Sequence, residues 1–217
     1  MILLPLLAAC DGGNNYTFSG SPVWETFPFD GERTWEFLST DTTLAYKLIA
    51  TSDQEPQVKN GANVYLVDYW THCVGADPDC VEGESLRRIQ WSSNITDGVH
   101  IHGYAVGSGA INELSPPIQV ATDVMKKDEV LTTTTGGATW SSKLLGTEAC
   151  PLKLTADWDN CNVFEITSDT GDGYPIAGKY WTVGGNGFAA MEIVTDSGQW
   201  QLSDATCEPI DECDGNW

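Results

Sequence analysis

Apolar and polar residues alternate with a period of two in short runs spread along this 217-residue chain. This is the spacing of side chains on a half-buried β-strand. Residues 34–38 and 44–48 show it first, and residues 64–70 form a longer run. Further runs lie at residues 86–95, 99–104, 130–135, 138–145, 152–158, 164–166, 180–183, 188–195 and 199–203. The pattern predicts an all-β fold, a single antiparallel meander of about ten short strands forming a strongly curved sheet or half-open barrel.

Glycine, proline and aspartate separate these runs. Asp97-Gly98 and Gly136-Gly137 each stand between two β-rich segments and predict tight hairpins. Gly107-Ser108-Gly109 and Pro116-Pro117 interrupt the alternation, so we expect them to break any ladder there. Residues 121–130 fit a loop, which we favour, or a short amphipathic helix. The chain lacks candidates for crossover helices, which excludes a parallel α/β architecture.

The first residues of the chain predict where it folds. Residues 2–9 are an unbroken apolar run, far shorter than the ~20 residues of a membrane-spanning helix. The run ends in Leu7-Ala8-Ala9-Cys10, which resembles the lipobox of bacterial lipoproteins. This resemblance implies cleavage before Cys10, a diacylglyceryl group on its sulfur and an acylated amino terminus. Two or three acyl chains would anchor the protein to a membrane.

We therefore expect a signal peptide at residues 1–9, a lipid anchor and flexible tether at 10–22, and a single β-domain at 23–217. The tether is rich in Gly, Asn and Ser. No Lys or Arg precedes the apolar run, unlike the usual positive start of a signal. The alternative is a buried first strand in which Cys10 is a core cysteine.

The chain is strongly acidic. The sequence contains 10 Lys and Arg residues and 31 Asp and Glu residues, which gives a formal net charge of −21. Such a surface repels phosphate backbones, so we expect no nucleic-acid partner. Nine Trp, seven Tyr and 22 Gly suit a domain of strands and turns.

Cysteine spacing supports an exported protein. If one of the seven cysteines, Cys10, carries lipid, six remain as three neighbouring pairs. The pairs are Cys73 with Cys80, Cys150 with Cys161, and Cys207 with Cys213. We predict three local disulfides formed in an oxidising compartment, although six cysteines allow 15 pairings. Reduced cysteines in a cytosolic protein are the main alternative, and a zinc site of Cys73, Cys80 and His72 is a weaker one.

Candidate catalytic and metal-binding residues are few. His100 and His102 lie two apart on a predicted strand, so both rings share one face and can supply two ligands to zinc or copper. Two exposed strand histidines beside Tyr104 are the favoured alternative. Asp157-Trp158-Asp159-Asn160 and the acidic turn at 169–173 resemble calcium loops without completing the ligand spacing, so we interpret them as solvated turns. We assign no catalytic residue, cofactor or metal.

Several motifs recur in a known group of proteins. Phe27-Pro28-Phe29 precedes Trp35 and Phe37, and the Asp97-Gly98 hairpin follows. Pro116-Pro117 comes next, and Tyr180-Trp181 runs into Gly185-Asn186-Gly187-Phe188. Together these motifs resemble a widespread group of uncharacterised bacterial lipoproteins. The resemblance implies an exported, curved antiparallel domain on a lipid anchor, similar in shape to LolA- and LolB-type carriers, which enclose an apolar groove.

We therefore expect a lipid-anchored cell-envelope lipoprotein, periplasmic or at the cell surface, with a non-catalytic domain that binds a hydrophobic ligand or an envelope protein. A structural or adhesive lipoprotein and a carbohydrate-active or metal-dependent hydrolase are the alternatives. A carrier needs partly unfilled space beside its inward residues, a structural protein needs that space filled, and an enzyme needs converging polar groups. We expect the inward residues to include Leu44, Tyr46, Leu48, Val64 and Leu66.

Overall fold

The computed structural model describes residues 27, 29, 32–53, 55–94, 96–122, 125–151, 160–171, 173–185, 187–194 and 196–208. Of residues 207 and 208 it describes only the backbone. These residues form thirteen strands and no helix. The strands are β1 (Glu32–Ser39), β2 (Tyr46–Ser52), β3 (Gln57–Lys59), β4 (Ala62–Cys73), β5 (Ser85–Asn94), β6 (Gly98–Val106), β7 (Asn112–Ala121), β8 (Val130–Thr135), β9 (Ala138–Glu148), β10 (Cys161–Ser168), β11 (Gly178–Val183), β12 (Gly187–Ile193) and β13 (Trp200–Glu208). They make one antiparallel, nearly closed, barrel-shaped sheet, which confirms the predicted fold class.

The strands follow one another around the barrel in chain order. β1 pairs with β13, and β3 lies outside the ring as a short flap paired with β4, so twelve strands form the ring itself. The ladder stops between β7 and β8, where side chains bridge the seam. The Gln119 N–H donates to Thr133 Oγ1 at 3.2 Å, and the Ser142 hydroxyl donates to the Val120 carbonyl at 2.7 Å. This seam completes the enclosure of the interior.

The alternating strands give the barrel two ends. We call the end at which β1 begins the near end; it also carries the β5–β6 and β11–β12 turns. We call the opposite end the far end. It carries the β1–β2 loop, the β4–β5 loop and the β12–β13 turn. Residues 173–177 also lie there and place Ile176, which is fully buried, against the core.

Aromatic side chains fill the interior. Their ring centroids lie 5.5–6.3 Å from those of their neighbours, which is normal packing for aromatic pairs. We call this set the aromatic interior: Phe27, Phe29, Trp35, Phe37, Trp91, Phe164, Tyr180 and Phe188, all at most 2 % exposed. Six of the eight side chains come from strands, whereas Phe27 and Phe29 precede β1.

The predicted inward residues are correct in β2 and wrong in β4. Leu48 belongs to the core, and Leu44 and Tyr46 pack against it. In β4 the core instead receives Tyr65, Val67 and Tyr69, so Val64 and Leu66 face the other way. The pairing of Tyr69 with Ala50 of β2 sets this register. Because strand side chains alternate, Asp68 then shares the outer face with residues 64 and 66.

The prolines of the middle segment lie within a strand, and the ladder is interrupted at them, as we predicted. Pro116 and Pro117 lie inside β7. The register with β6 is irregular there, since Ile118 pairs with Ile101 whereas Glu113 pairs with Gly103. A strand at the end of the ladder tolerates residues without an N–H at such an irregularity. The described part of residues 121–130 contains no helix, as we favoured.

Two of the three predicted cysteine pairs lie at disulfide distance. The sulfurs of Cys73 and Cys80 are 1.97 Å apart, and those of Cys150 and Cys161 are 2.05 Å apart. The first pair closes the β4–β5 loop, and the second joins the segment after β9 to the start of β10. The Cys207 side chain, Cys213, Cys10 and the predicted strand at 152–158 lie outside the described residues.

A buried ion pair links the far end to the barrel wall. Arg87 is 1 % exposed, and its Nη1 donates to Asp196 Oδ2 at 2.7 Å. Its guanidinium carbon lies 4.9 Å from the centroid of the Tyr69 ring, within the range of a cation–π contact. Trp200 Nε1 also donates to Asp196 Oδ2, at 2.9 Å. The carboxylate therefore joins the β12–β13 turn to β5.

We predict that Asp196→Ala lowers the free energy of unfolding by about 3 kcal/mol, because it leaves the Arg87 charge buried without its carboxylate partner. Chemical denaturation measures the loss. Lys143→Gln is the control, since the Lys143–Asp128 pair is exposed and should contribute little. Equal losses in the two variants would contradict the assigned role of Asp196.

Candidate functional site

A β-bulge aims two histidines at one place on the outer face. Trp91 pairs with Ile101, but the preceding Gln90 pairs with Gly103, so His102 is the extra residue of β6. Bulges often redirect side chains next to functional sites. The ring centroids of His100 and His102 are 6.3 Å apart, and both rings line one cavity, as the predicted shared face requires. His102 is 6 % exposed, so the expectation of two exposed histidines is wrong for it.

The cavity has a volume of about 220 Å³. We call it the histidine cavity; Lys59, Asn60, Ala62, Ser92, Asn94, Asp97, His100, His102 and Pro117 line it. The β3–β4 flap forms one wall and turns at Asn60-Gly61, where both residues have positive φ. Lys59 Nζ fastens the flap by donating to Gln90 Oε1 at 2.7 Å and to both Glu113 carboxylate oxygens at 2.6 Å.

Burial keeps the two imidazoles neutral. Burial, together with the neighbouring His100 and Lys59 and against the attraction of Glu113, lowers the pKa of His102 to about 4. Burial also lowers the pKa of His100, against the attraction of Asp97. Both rings are therefore uncharged at pH 7. In this state an imidazole both accepts and donates a hydrogen bond.

The chemistry available in the histidine cavity is limited. Ser92 Oγ lies 2.8 Å from His102 Nε2, the arrangement of a nucleophile and its base, but Ser92 is 1 % exposed and we assign the pair to packing. Among the described residues, no three His, Cys, Asp or Glu side chains are grouped to hold a metal ion. At roughly 30 Å³ per water molecule, the cavity suits a few waters or one small polar molecule.

The aromatic interior is the second candidate site. Phe27 lies at its centre, with ring centroids 5.5 Å from Phe164, 5.9 Å from Trp91 and 6.1 Å from Phe188. Phe29 lies 5.6 Å from Trp91 and 6.0 Å from Phe188. Two side chains from outside the sheet thus occupy the middle of the space that the strands enclose. We call Phe27 and Phe29 the interior phenylalanines.

Polar side chains also project into this interior. At the far end, burial raises the pKa of Tyr69 and of Tyr180, so both remain neutral phenols. Nearer the other end, Asn162 of β10 and Thr182 of β11 are direct strand partners and are 1 % and 0 % exposed. They share the inner face with Phe164 and Tyr180, two residues away on the same strands.

The residues of the calcium-like turn at 169–173 and of the alternative zinc site have structural roles. Asp169 Oδ1 accepts a hydrogen bond from the Thr139 N–H at 2.7 Å and so joins two turns, while residues 157 and 159 lie outside the described part. Cys73 and Cys80 lie at bonding distance from each other, which removes both thiolates from the zinc alternative. His72 instead contacts Glu82, with Nδ1 and Oε1 2.8 Å apart.

Comparison with protein-family models, curated proteins and solved structures finds no match to this chain. In the described part of the chain there is no helix of the length and apolarity needed to cross a membrane. Functional inference therefore rests on the geometry of the two candidate sites and on the sequence.

We predict that His102 makes stability depend on pH. Because its pKa in the folded protein lies below its ordinary value, the unfolded chain takes up the proton first as the pH falls below about 6.5. The contribution is complete above that pH and is lost as the pH falls towards 4. Between pH 7 and 4, the wild type should lose about 2 kcal/mol more than His102→Gln in chemical denaturation. His72→Gln, at an exposed histidine, is the control and should follow the wild type; identical pH profiles for wild type and His102→Gln would refute the assignment.

Proposed function

We propose that this protein is a lipid-anchored lipoprotein of the bacterial cell envelope, periplasmic or at the cell surface, and that its barrel binds a hydrophobic ligand in the aromatic interior. The observation that carries this proposal is the position of the interior phenylalanines. They fill the centre of the barrel, where we expected a carrier to leave space, although they belong to none of its strands. We propose that the ligand replaces them.

The number of strands in the ring supports a ligand-binding interior. Barrel diameter grows with strand number, and about eight strands give an interior that wall side chains alone can fill. Twelve strands form this ring. Its strands carry large aromatic side chains, and Phe27 and Phe29 are still needed to fill the space. Without these two side chains, Trp35, Trp91 and Phe188 would line an apolar space.

The free energy gained by burying an acyl chain can be compared with the cost of moving Phe27 and Phe29 into water. Moving two buried phenylalanine side chains into water costs roughly 3–6 kcal/mol. Burying an acyl chain contributes about 0.8 kcal/mol per methylene, so roughly 4–8 methylenes offset that cost and a chain of about 12 carbons exceeds it. A ligand of this size can therefore compete with the interior phenylalanines, whereas one with fewer than about four methylenes cannot.

The anchoring and the compartment rest on the sequence and on the cysteines. The Leu7-Ala8-Ala9-Cys10 motif provides the attachment to the membrane. Two cysteine pairs at disulfide distance suit an oxidising compartment. We propose no catalytic activity. Ser92 and His102 are placed like a nucleophile and its base, but Ser92 is 1 % exposed and so is closed to a substrate.

Binding of a protein partner at the far end of the barrel is the second candidate function, and exposed apolar side chains there favour it. Val74, Val81, Val106 and Val194 lie on the loops and strand ends there and are 44–59 % exposed. Apolar side chains exposed together at one end suit a contact surface. In this case the filled interior would serve only to make the barrel rigid, as in a structural or adhesive lipoprotein.

The test measures binding of N-phenyl-1-naphthylamine, a fluorescent apolar probe. We predict that the wild type binds it and that Phe27→Ala/Phe29→Ala binds it about tenfold more tightly, because the competing side chains are gone. Phe37→Ala is the matched control, since it shortens a buried wall residue while leaving both interior phenylalanines in place.

The result that supports the proposal is binding by the wild type with a gain in the double variant only. Binding by the double variant alone would indicate an engineered void and would overturn the proposal. An equal gain in Phe37→Ala, or no binding by any of the three proteins, would also overturn it and leave the protein-partner role.

A further inference from the structure

The aromatic interior contains two polar side chains to which the described residues give no hydrogen bond. In this part of the chain, Asn162 Oδ1, Asn162 Nδ2 and Thr182 Oγ1 are buried and have no partner. Some buried hydroxyls of the barrel find partners: Ser142 donates to the Val120 carbonyl, and Ser52 accepts from the Arg33 N–H. The hydroxyls of Tyr69 and Thr135 do not find one among the described residues, but each is a single atom, whereas Asn162 and Thr182 bring three such atoms together on two directly paired residues.

Leaving these atoms unsatisfied is expensive. A buried polar group without a partner costs about 1–3 kcal/mol, and three such atoms belong to two directly paired residues. Folded proteins rarely keep such groups unless water, an ion or a ligand binds them. Replacement of Asn162 and Thr182 by apolar residues would remove the cost, so their presence indicates a polar group that they bind.

Asn162 and Thr182 are strand neighbours of the two side chains that contact Phe27. Phe164 is two residues beyond Asn162 on the same face of β10, and its ring centroid is 5.5 Å from that of Phe27. Phe188 is the β12 partner of Thr182, and its centroid is 6.1 Å from that of Phe27. An apolar guest in the place of Phe27 would thus have one end beside Asn162 and Thr182.

We propose that Asn162 and Thr182 bind the uncharged polar head of an amphipathic ligand whose acyl chain replaces Phe27 and Phe29. This proposal rests on the proposed function and names the ligand class for the same site. An amide and a hydroxyl offer both donors and acceptors, which match a hydroxyl, ester or amide head. A carboxylate beside them would bring a charge into an aromatic environment. The Arg33 guanidinium, also at this end of the interior, donates from Nη1 to the Gly185 carbonyl at 3.1 Å. The charged ligand in the experiment below measures whether this guanidinium also attracts a carboxylate.

The interior also sets the length of the chain. Two phenylalanine side chains contain about 14 carbon atoms, and replacements that conserve volume are the ones a packed interior accepts. The expected tail therefore has about 12–14 carbons. Monoacylglycerols of this length are suitable probes, and the fatty acid with the same tail is the matched charged ligand.

The experiment compares 1-monododecanoylglycerol with dodecanoate, each below its critical micelle concentration, in competition with N-phenyl-1-naphthylamine. We expect the wild type to bind the monoacylglycerol about tenfold more tightly than dodecanoate. Asn162→Leu/Thr182→Val should lose this preference while keeping its affinity for the naphthylamine probe, which has no such head. Thr182→Val alone, which conserves the side-chain shape, tests the site if the double variant does not fold.

Thr135→Val is the matched control, because Thr135 Oγ1 is also buried without a partner but lies at the far end of β8. It should keep the wild-type preference. If Asn162→Leu/Thr182→Val also keeps that preference, or if the wild type shows none, the head-group site is refuted and the polar atoms of Asn162 and Thr182 bind only water. The proposed function survives that result as long as the naphthylamine probe binds, and it fails if the probe does not bind.

Discussion

The need to fill the enclosed space governs this protein. A ring of twelve antiparallel strands encloses more volume than small side chains can occupy, and an unfilled interior forfeits both hydrophobic burial and dispersion contacts. The chain meets this demand with large aromatic residues on its walls, with Ile176 at the far end, and with two phenylalanines from outside the sheet. Of the side chains that fill the interior, Phe27 and Phe29 are held least firmly, because their backbone forms no strand ladder. For that reason we propose that a guest of similar volume replaces them without disturbing the ring.

The buried polar groups divide into two kinds. At the far end, the Arg87 guanidinium has Asp196 as its partner and the Tyr69 ring beneath it, so the buried charge is compensated within the protein. The described residues give no such compensation to Asn162 and Thr182. The first arrangement fixes a turn to the wall and serves stability. In our proposal, the second completes its hydrogen bonds with the polar head of a ligand.

Local alternation and turn chemistry predict much of this fold. They place the β1–β2, β5–β6 and β8–β9 hairpins, and cysteine spacing anticipates two pairs at disulfide distance. They mislead where the face of a strand depends on its partner: Val64 and Leu66 fit the inner face by hydrophobicity, but the pairing of Tyr69 with Ala50 turns them outward. The β3–β4 flap was missed although Asn60-Gly61 is a strong hairpin signal. The spacing of His100 and His102 predicts that both rings lie on one face. It does not predict the bulge that buries His102. Nothing local marks Asn162 and Thr182, because their lack of partners exists only once the sheet closes.

Native mass spectrometry of the domain most directly tests whether the interior is a binding site. The protein should be expressed with export and purified without detergent, as the wild type and as Phe27→Ala/Phe29→Ala. The account predicts that a fraction of the wild type carries a co-purified amphiphile with an uncharged head, and that this fraction rises in the double variant. Mass peaks of the unliganded chain alone in both samples would contradict it and would leave a rigid barrel that acts through its outer surface.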